Sequence, residues 1–500
     1  MEGALMSNPA WRLVALTLVV AILFTLVSCA EKTANVADAS KKPGDSSALQ
    51  DAETASDYIA KLSGKNFGGE TFTILCTHTE ERPNMPFEEE VGDIFYDSAY
   101  RRDRIVEDLF NINIEYISDT DRGAVRTKVM NTVNAQEDAY DLLLTTTADG
   151  FNTLAPGGYL YDLRSVDSLL LDEDWWCQSM NEEMVVNGKQ YVATGPACLA
   201  YLYSTFFVIF NINLASDRGI SDESLYNAVI DGKWTIDMLA SLIKGVYADL
   251  NNNGRADTED FYGLDLDDSQ GNALYAGAGL KTTQRNPDGI PELVIDSERS
   301  ITVLDKFNSI FTTQDVIQTE SLGNDPSGLS YKISLFKNRR SLFSLNRAAF
   351  VMSYLRDMED DYGILPVPKY EESQKSYYTL FDPWMPSGIG LLKTVSDAEK
   401  VGIVTDAMAY LGYTTVQPNV LSLTLKEKIA RDENSKKMLD IVYDNITVDL
   451  NTIFNFGETS IYLRQYAVGS TSNFISTYKK VAKAAQKALE KLMEQYDVIT

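Results

Sequence analysis

The densest run of potential ligating groups is Asp249-Leu250-Asn251-Asn252-Asn253-Gly254-Arg255-Ala256-Asp257-Thr258-Glu259-Asp260. Oxygen side chains at positions 1, 3, 5, 9 and 12 (Asp249, Asn251, Asn253, Asp257, Asp260), a backbone carbonyl at 7 (Arg255) and a turn glycine at 6 form the pattern of a calcium loop. Position 12 is Asp260 where a bidentate Glu is usual, and its shorter arm predicts weaker binding or altered coordination. A helix is expected before the loop, but Phe261-Tyr262-Gly263-Leu264 after it does not read as helical. The motif is therefore at most half an EF-hand, and an ion held there is expected to be structural, not catalytic. The metal-free alternative is an acidic turn.

Catalytic chemistry is narrowed by arithmetic. His78 is the only histidine, which excludes HExxH zinc chemistry and any multi-histidine site. A serine or cysteine triad would have to use that one residue as its base. There is no GxSxG elbow, no P-loop, and no GxGxxG after a strand. A glycosidase needs only two carboxylates, and 72 acidic residues leave that class open. His78 itself reads as a strand-end polar residue.

These groups are carried on 500 residues, a length that suits two lobes of ordinary domain size. Composition is that of soluble domains, with 44% hydrophobic and 23% charged residues. The net charge of −28 argues against a nucleic-acid partner, which needs basic patches, and against attraction to anionic lipid head groups. Membrane attachment must come from elsewhere. Leu13 to Val27 is an uncharged apolar run of fifteen residues, shorter than the roughly 20 that span a bilayer, and suits the core of a secretory signal. It ends in Leu26-Val27-Ser28-Cys29, which resembles the lipobox of bacterial lipoproteins. That resemblance implies cleavage before Cys29, acylation of its thiol, and anchoring on the extracytoplasmic face of the cell membrane by more than one acyl chain. Arg12 is the only cation ahead of the run, and Met6 is an alternative start. Ala30 to about Ser56 lacks apolar periodicity and reads as a tether. Cys76, Cys177 and Cys198 show no metal spacing; one pair could form a disulfide, which sequence does not choose.

Folded sequence begins near Phe67. Thr71–Cys76, Ile112–Ile117 and Tyr140–Leu144 read as strands, and Tyr100–Phe110 and Ala124–Val133 as helices between them. Such alternation implies an α/β sheet with parallel pairing, whose ligands bind beyond the carboxyl ends of the strands. A second α/β region follows. There Tyr201–Phe210 and Ala348–Tyr354 read as strands, Tyr362–Pro368 as extended, and Trp234–Tyr247 as an amphipathic helix. The chain ends in helices at Ala398–Leu411, Ser435–Asp444 and Ser472–Tyr496; the last carries an apolar stripe that reads as packing surface.

Several segments, in order, resemble family 1 of the bacterial extracellular solute-binding proteins, which includes maltose- and oligosaccharide-binding proteins. They are YDLLL at 140–144, LAPGGYLYDL at 154–163, GKQYV at 188–192, VIFNINL at 208–214, GKWTID at 232–237, DYGILPVPK at 361–369, VQP at 416–418 and LKEK at 425–428. The resemblance implies a two-lobed periplasmic-binding-protein-like α/β fold of type II, with a ligand cleft between the lobes. By analogy the chain divides into a signal peptide (1–28), an acylated cysteine and tether (29–65), a first lobe (66–192), a second lobe (193–360), a return to the first (361–395), and C-terminal helices mostly on the second (396–500). The implied function is that of a monomeric, non-enzymatic component of an ABC importer, which captures a sugar and delivers it to permease subunits. Alternatives are a lipid-anchored carbohydrate-active hydrolase and a calcium-dependent adhesin.

Sugar recognition needs flat apolar faces for pyranose C–H surfaces and polar groups for hydroxyls. Trp384, in the apolar loop Phe381–Pro386, is the foremost stacking candidate. Trp175 and Trp176 follow an acidic turn, and one of them is expected at the cleft; Trp234 reads as core. Glu80, Asp149 and Tyr203 are the polar candidates, from their places at strand ends or in the crossing strand.

Overall fold

The structure is a computed structural model that describes residues 58–79, 82–419 and 433–499. Cys29, the tether, Glu80 and the LKEK segment lie outside the described residues. The described residues divide into a small unit (those up to 71, with 103–114) and a large one (72–102 with those from 115 on). In the small unit, Phe67 N–H donates to Phe110 O (2.8 Å) and their rings meet at 5.7 Å. Glu107 accepts from Ile114 N–H at 2.7 Å.

The strands, in chain order, are β1 (Glu70–Thr77), β2 (Ile112–Asp119), β3 (Leu142–Thr145), β4 (Phe206–Asn211), β5 (Tyr262–Leu266), β6 (Thr283–Arg285), β7 (Pro291–Leu293), β8 (Val316–Gln318), β9 (Ser341–Arg347), β10 (Tyr362–Leu365), β11 (Thr379–Leu380), β12 (Gly388–Gly390) and β13 (Ile446–Thr447). One sheet runs β12-β3-β1-β2 and another runs β10-β4-β9-β5-β8. β1 pairs parallel with β3, and β5 pairs parallel with both β8 and β9, so the carboxyl ends of β1 and β3 share one edge, as do those of β5, β8 and β9. β3 and β4 are buried along their whole length. Both faces of such strands are covered, and they read as continuous apolar runs instead of alternating ones.

The helices used below are α1 (Arg122–Asn134), α2 (Gln178–Glu183), α3 (Leu199–Tyr203), α4 (Ile236–Ile243), α5 (Gln270–Gly277), α6 (Ala348–Tyr354), α7 (Ala398–Leu411), α8 (Leu450–Phe454), α9 (Thr459–Ala467) and α10 (Phe474–Val498). α7 has the bounds expected from sequence. α10 buries Phe474, Tyr478, Ala485, Leu489 and Leu492, the stripe that marks it as packing surface.

Three local expectations are corrected. Tyr201–Phe210 is not one strand: Leu199–Tyr203 is helical and β4 starts at Phe206. Every residue of α3 is buried, so no polar face betrays the helical period. Ala348–Tyr354 is helix; the strand is the preceding Ser341–Arg347, and Ala348, Ala349 and Met352 carry high helix propensity. The Trp234–Tyr247 helix is shorter, running from the Thr235 cap to Ile243; Lys244 turns extended and Gly245 takes φ +72°. Trp234 is fully buried and donates to Pro366 O (2.8 Å), the core role expected of it.

Candidate functional site

The carboxyl ends of β5, β8 and β9 place a cluster of charges at one edge of their sheet. Asp267 and Asp268 follow β5, Glu320 lies two residues past β8, and Arg347 closes β9. Lys332 Nζ sits 3.2 Å from Asp267 and 2.6 Å from Glu320. Burial opposes ionisation of Asp267, but Arg347, Lys332 and donors from Ser269 outweigh it and hold the carboxyl below its usual range. Asp268 goes the other way: burial raises it, and Arg464 at 3.6 Å offsets this only in part. Arg464 reaches Asp268 because α5 and α9 approach closely at Gly271. A Cβ there would stand 2.2 Å from Arg464 O. Any side chain would push the helices apart.

The carboxyl end of β3 supplies the matching edge of the other sheet. Asp121 caps α1 by accepting from Gly123 N–H (2.8 Å), which fixes the first helical turn. Arg122 and Arg126 are four apart and share a face. Arg122 Nε donates to Asp149 at 2.8 Å, and Arg126 bonds both the Asp149 carboxylate and its carbonyl. The Arg122 guanidinium lies over the Trp384 ring, 4.7 Å from its centroid.

The Trp384 loop joins the two edges. Pro383 O accepts from Ala148 N–H (3.0 Å) and Thr147 O–H (3.1 Å) beyond β3. Asp382, 2% exposed, accepts from Trp384 N–H (2.9 Å) and pairs with Arg347 at the end of β9. A continuous chain of contacts thus runs from Arg126 and Asp149 through Arg122, Trp384 and Asp382 to Arg347, whose charge acts on Asp267. Trp384 is half-buried. The arrangement offers one aromatic face, with hydrogen-bond donors and acceptors on both sides and no nucleophile–base pair.

Of the residues singled out in the sequence, the structure brings Asp149 and Trp384 together here. Trp175 and Trp176 are elsewhere: both indole N–H groups donate to Asp406 on α7, at 3.2 and 2.8 Å, and Trp176 is buried. Tyr203 is buried with its ring 5.0 Å from Phe95, and burial pushes its phenol well above the ordinary range. His78 Nδ1 accepts from Asn84 N–H at 3.0 Å. Cys76, Cys177 and Cys198 are free buried thiols; burial pushes Cys76 and Cys198 up to about 12. Arg122, Arg126, Asp267, Asp268, Glu320, Lys332, Arg347, Asp382 and Arg464 were not singled out. The strand-end rule, applied after Tyr262–Leu266, points to Asp267 and Asp268.

In the loop from Asp249 to Asp260, Asp249 Oδ1 and Asn251 Oδ1 both accept from Asn253 N–H (3.2 and 3.0 Å), and Asp249 Oδ2 accepts from Gly254 N–H (2.9 Å). Asn251 and Asn253 amides donate to Asp257 at 3.1 and 2.6 Å. Donors from Glu259 N–H, Asn253 and Asn251 hold the Asp257 carboxyl below its usual range. The four side chains are thus tied to one another and to the loop backbone, with Gly254 at φ +74° making the turn. Asp260 is fully buried and already accepts from Leu250 N–H, Tyr247 O–H and Asp257 N–H. That suits it to bracing the loop, not to bidentate ligation. The flanks are strand-like: Ala248 bridges to Phe261, and β5 follows.

No protein-family model and no curated protein matches the chain. Solved structures do. The cyclic α-maltosyl-1,6-maltose binding protein of Arthrobacter globiformis aligns with TM-score 0.53 at 13% identity, over 85% of this chain and 100% of that one. The GacH receptor of Streptomyces glaucescens, solved unliganded and with acarbose, aligns with TM-score 0.52 at 14% identity, over 86% and 99%. The galacto-N-biose/lacto-N-biose I-binding protein of a Bifidobacterium longum ABC transporter aligns with TM-score 0.51 at 12% identity, over 87% and 99%. The fold is the two-lobed α/β fold of maltose-binding-type proteins. These neighbours are binding proteins, not enzymes.

Proposed function

We propose that the chain is the lipid-anchored, extracytoplasmic solute-binding component of an ABC importer, and that it captures a sugar or oligosaccharide for delivery to a membrane permease. The observation that carries the sugar reading is the half-buried Trp384 flanked by charged hydrogen-bonding groups from the carboxyl ends of both sheets. Pyranose rings pair a flat C–H face with a rim of hydroxyls, and this site offers a partner to each. The structural neighbours that bind saccharides support the same ligand class. Anchoring at Cys29 rests on the lipobox-like Leu26-Val27-Ser28-Cys29. Loop 249–260 takes a structural calcium ion through Asp249, Asn251, Asn253, Asp257 and the Arg255 carbonyl, with Asp260 behind them.

Thermal-shift screening tests the ligand. A ligand that binds the folded state raises its melting temperature, so at least one saccharide in a panel of mono- to tetrasaccharides should stabilise the protein. If no sugar produces a shift while peptides or amino acids do, the sugar reading is wrong. For the anchor, metabolic labelling with a palmitate analogue should tag the wild type and not Cys29→Ala. For the ion, calcium added to chelated protein should raise its melting temperature and should not do so in Asp249→Ala. An unchanged wild-type melting temperature at saturating calcium would remove the ion from the account.

A further inference from the structure

Away from the candidate site, two carboxyl groups meet at one hydroxyl. Thr283 Oγ1 lies 3.0 Å from Glu183 Oε1 and 2.9 Å from Asp449 Oδ1. A threonine hydroxyl carries a single hydrogen, so it can donate to only one of them. A second hydrogen must therefore lie on one of the two carboxyl groups. Asp449 Oδ2 accepts from Thr282 N–H (2.5 Å) and Thr282 O–H (2.7 Å), and Oδ1, the atom nearest Thr283, also accepts from Asn451 N–H (3.0 Å). Glu183 is served as a carboxylate: Lys281 Nζ lies 2.8 Å from Oε2, and Leu450 N–H lies 3.2 Å from Oε1. With Lys281 holding the charge on Glu183, the proton falls on Asp449: Oδ1–H donates to Thr283 Oγ1, and Thr283 O–H donates to the Glu183 carboxylate.

The pair joins two layers of the fold. α2, with Glu183, is tied to the layer of the first sheet: Asn181 accepts from Gln190 (2.8 Å), and Ala193 N–H bonds Ile389 O of β12 (2.9 Å). Thr283 opens the β6–β7 hairpin that follows β5 and α5 of the other layer. From that hairpin Arg285 also reaches the end of α2, 3.0 Å from Glu183 O and 2.5 Å from Val185 O.

We propose that Asp449 and Glu183 hold one proton between them through Thr283, and that this proton makes the contact a pH-dependent clasp between the two layers. Burial, with the Glu183 charge second, raises the Asp449 carboxyl above its ordinary range, in agreement with the geometry. The other groups facing it are Lys281, Arg285 and Tyr275; the phenol of Tyr275 is itself raised by burial and bonds Ser300 (2.9 Å). For an acid whose folded pKa is raised, the stabilisation is complete below the unfolded value and is lost as pH rises through the folded one. The clasp should therefore hold in acid and weaken as pH rises.

The test is the melting temperature of full-length wild type, Asp449→Asn and Glu183→Gln across pH 5 to 9. Asparagine with its amide nitrogen toward Thr283 keeps the carbonyl acceptor for Thr282 and supplies a permanent donor, but gives up the Asn451 N–H bond that caps α8, so the profiles are compared by their slope with pH. Asp449→Asn should gain on the wild type steadily as pH rises. Glu183→Gln removes the neighbouring charge and should move the wild-type decline to lower pH. A carboxylic-acid C=O infrared band at the acid end of that range should vanish in Asp449→Asn. Parallel profiles for wild type and Asp449→Asn, or no band lost in the variant, overturns the proposal. If Asp449→Asn fails to fold, an unshifted Glu183→Gln profile overturns it alone. None of these outcomes depends on which ligand the protein binds.

Discussion

The ion pair between Arg347 and Asp382 should hold the Trp384 loop, and replacing Arg347 by Met tests this. Asp382 is 2% exposed, and the Arg347 side chain is about one-fifth exposed at 21%. Methionine keeps an apolar stem where the guanidinium lies 5.9 Å from the Phe206 ring, but it leaves the buried carboxylate without its cation. Removing one partner of a buried pair typically costs about 3–5 kcal/mol. With Trp384 N–H still donating to Asp382 at 2.9 Å, the low end, about 3 kcal/mol, is expected. Adding Asp382→Asn to Arg347→Met removes the stranded charge, and the double variant should lose only about 1 kcal/mol. Urea denaturation at pH 7 measures both, read as midpoints at constant slope. Removing the stranded charge should thus return about 2 kcal/mol to the Arg347→Met variant. If single and double variants lose the same stability, Asp382 is not held as a charged partner and the loop is positioned by something else.

Three further outcomes are expected. Trp384→Ala should weaken saccharide binding at least about tenfold, while Trp384→Phe keeps most of the affinity; equal affinity in all three proteins, by calorimetry, would remove stacking from the site. Gly271→Ala should cost about 1–3 kcal/mol in urea denaturation, because the new methyl meets Arg464 O at 2.2 Å and the helices must separate; an unchanged midpoint would show that they are free to shift. Asp265, buried in β5 and bonded to Ser341 and Ser344, is raised by burial to about 7. Stability should therefore fall as pH rises through about 7, and Asp265→Asn should flatten that part of the profile; a decline of the same size in the variant would place its cause elsewhere.

Much of the fold was legible because local pattern and tertiary role agree in those elements. β2 and α10 carry apolar periods that match the faces they bury. α3 and α6 were misread because nearly all of their residues are buried, so helical and extended readings look alike. The site was legible in halves. Asp149 stands just past an apolar strand, and Trp384 stands out in an apolar loop, so both could be singled out from local context. Arg122 is a helix residue in the sequence and becomes a site residue only because Asp149 folds back onto it, 27 positions away. Arg347 is likewise unremarkable until Asp382, 35 residues on, is buried beside it. Trp175 and Trp176 show the converse: an aromatic pair after an acidic turn looks available, yet both indoles are held by Asp406, more than two hundred positions away.

A crystal structure with the most stabilising saccharide of the panel tests the central claim most directly. It should show a pyranose ring against Trp384, with hydroxyls within hydrogen-bond reach of Asp267, Asp268 or Arg347 on one side and Asp149 or Arg122 on the other. A sugar bound elsewhere, with the Trp384 face bare, would contradict the assignment of this site.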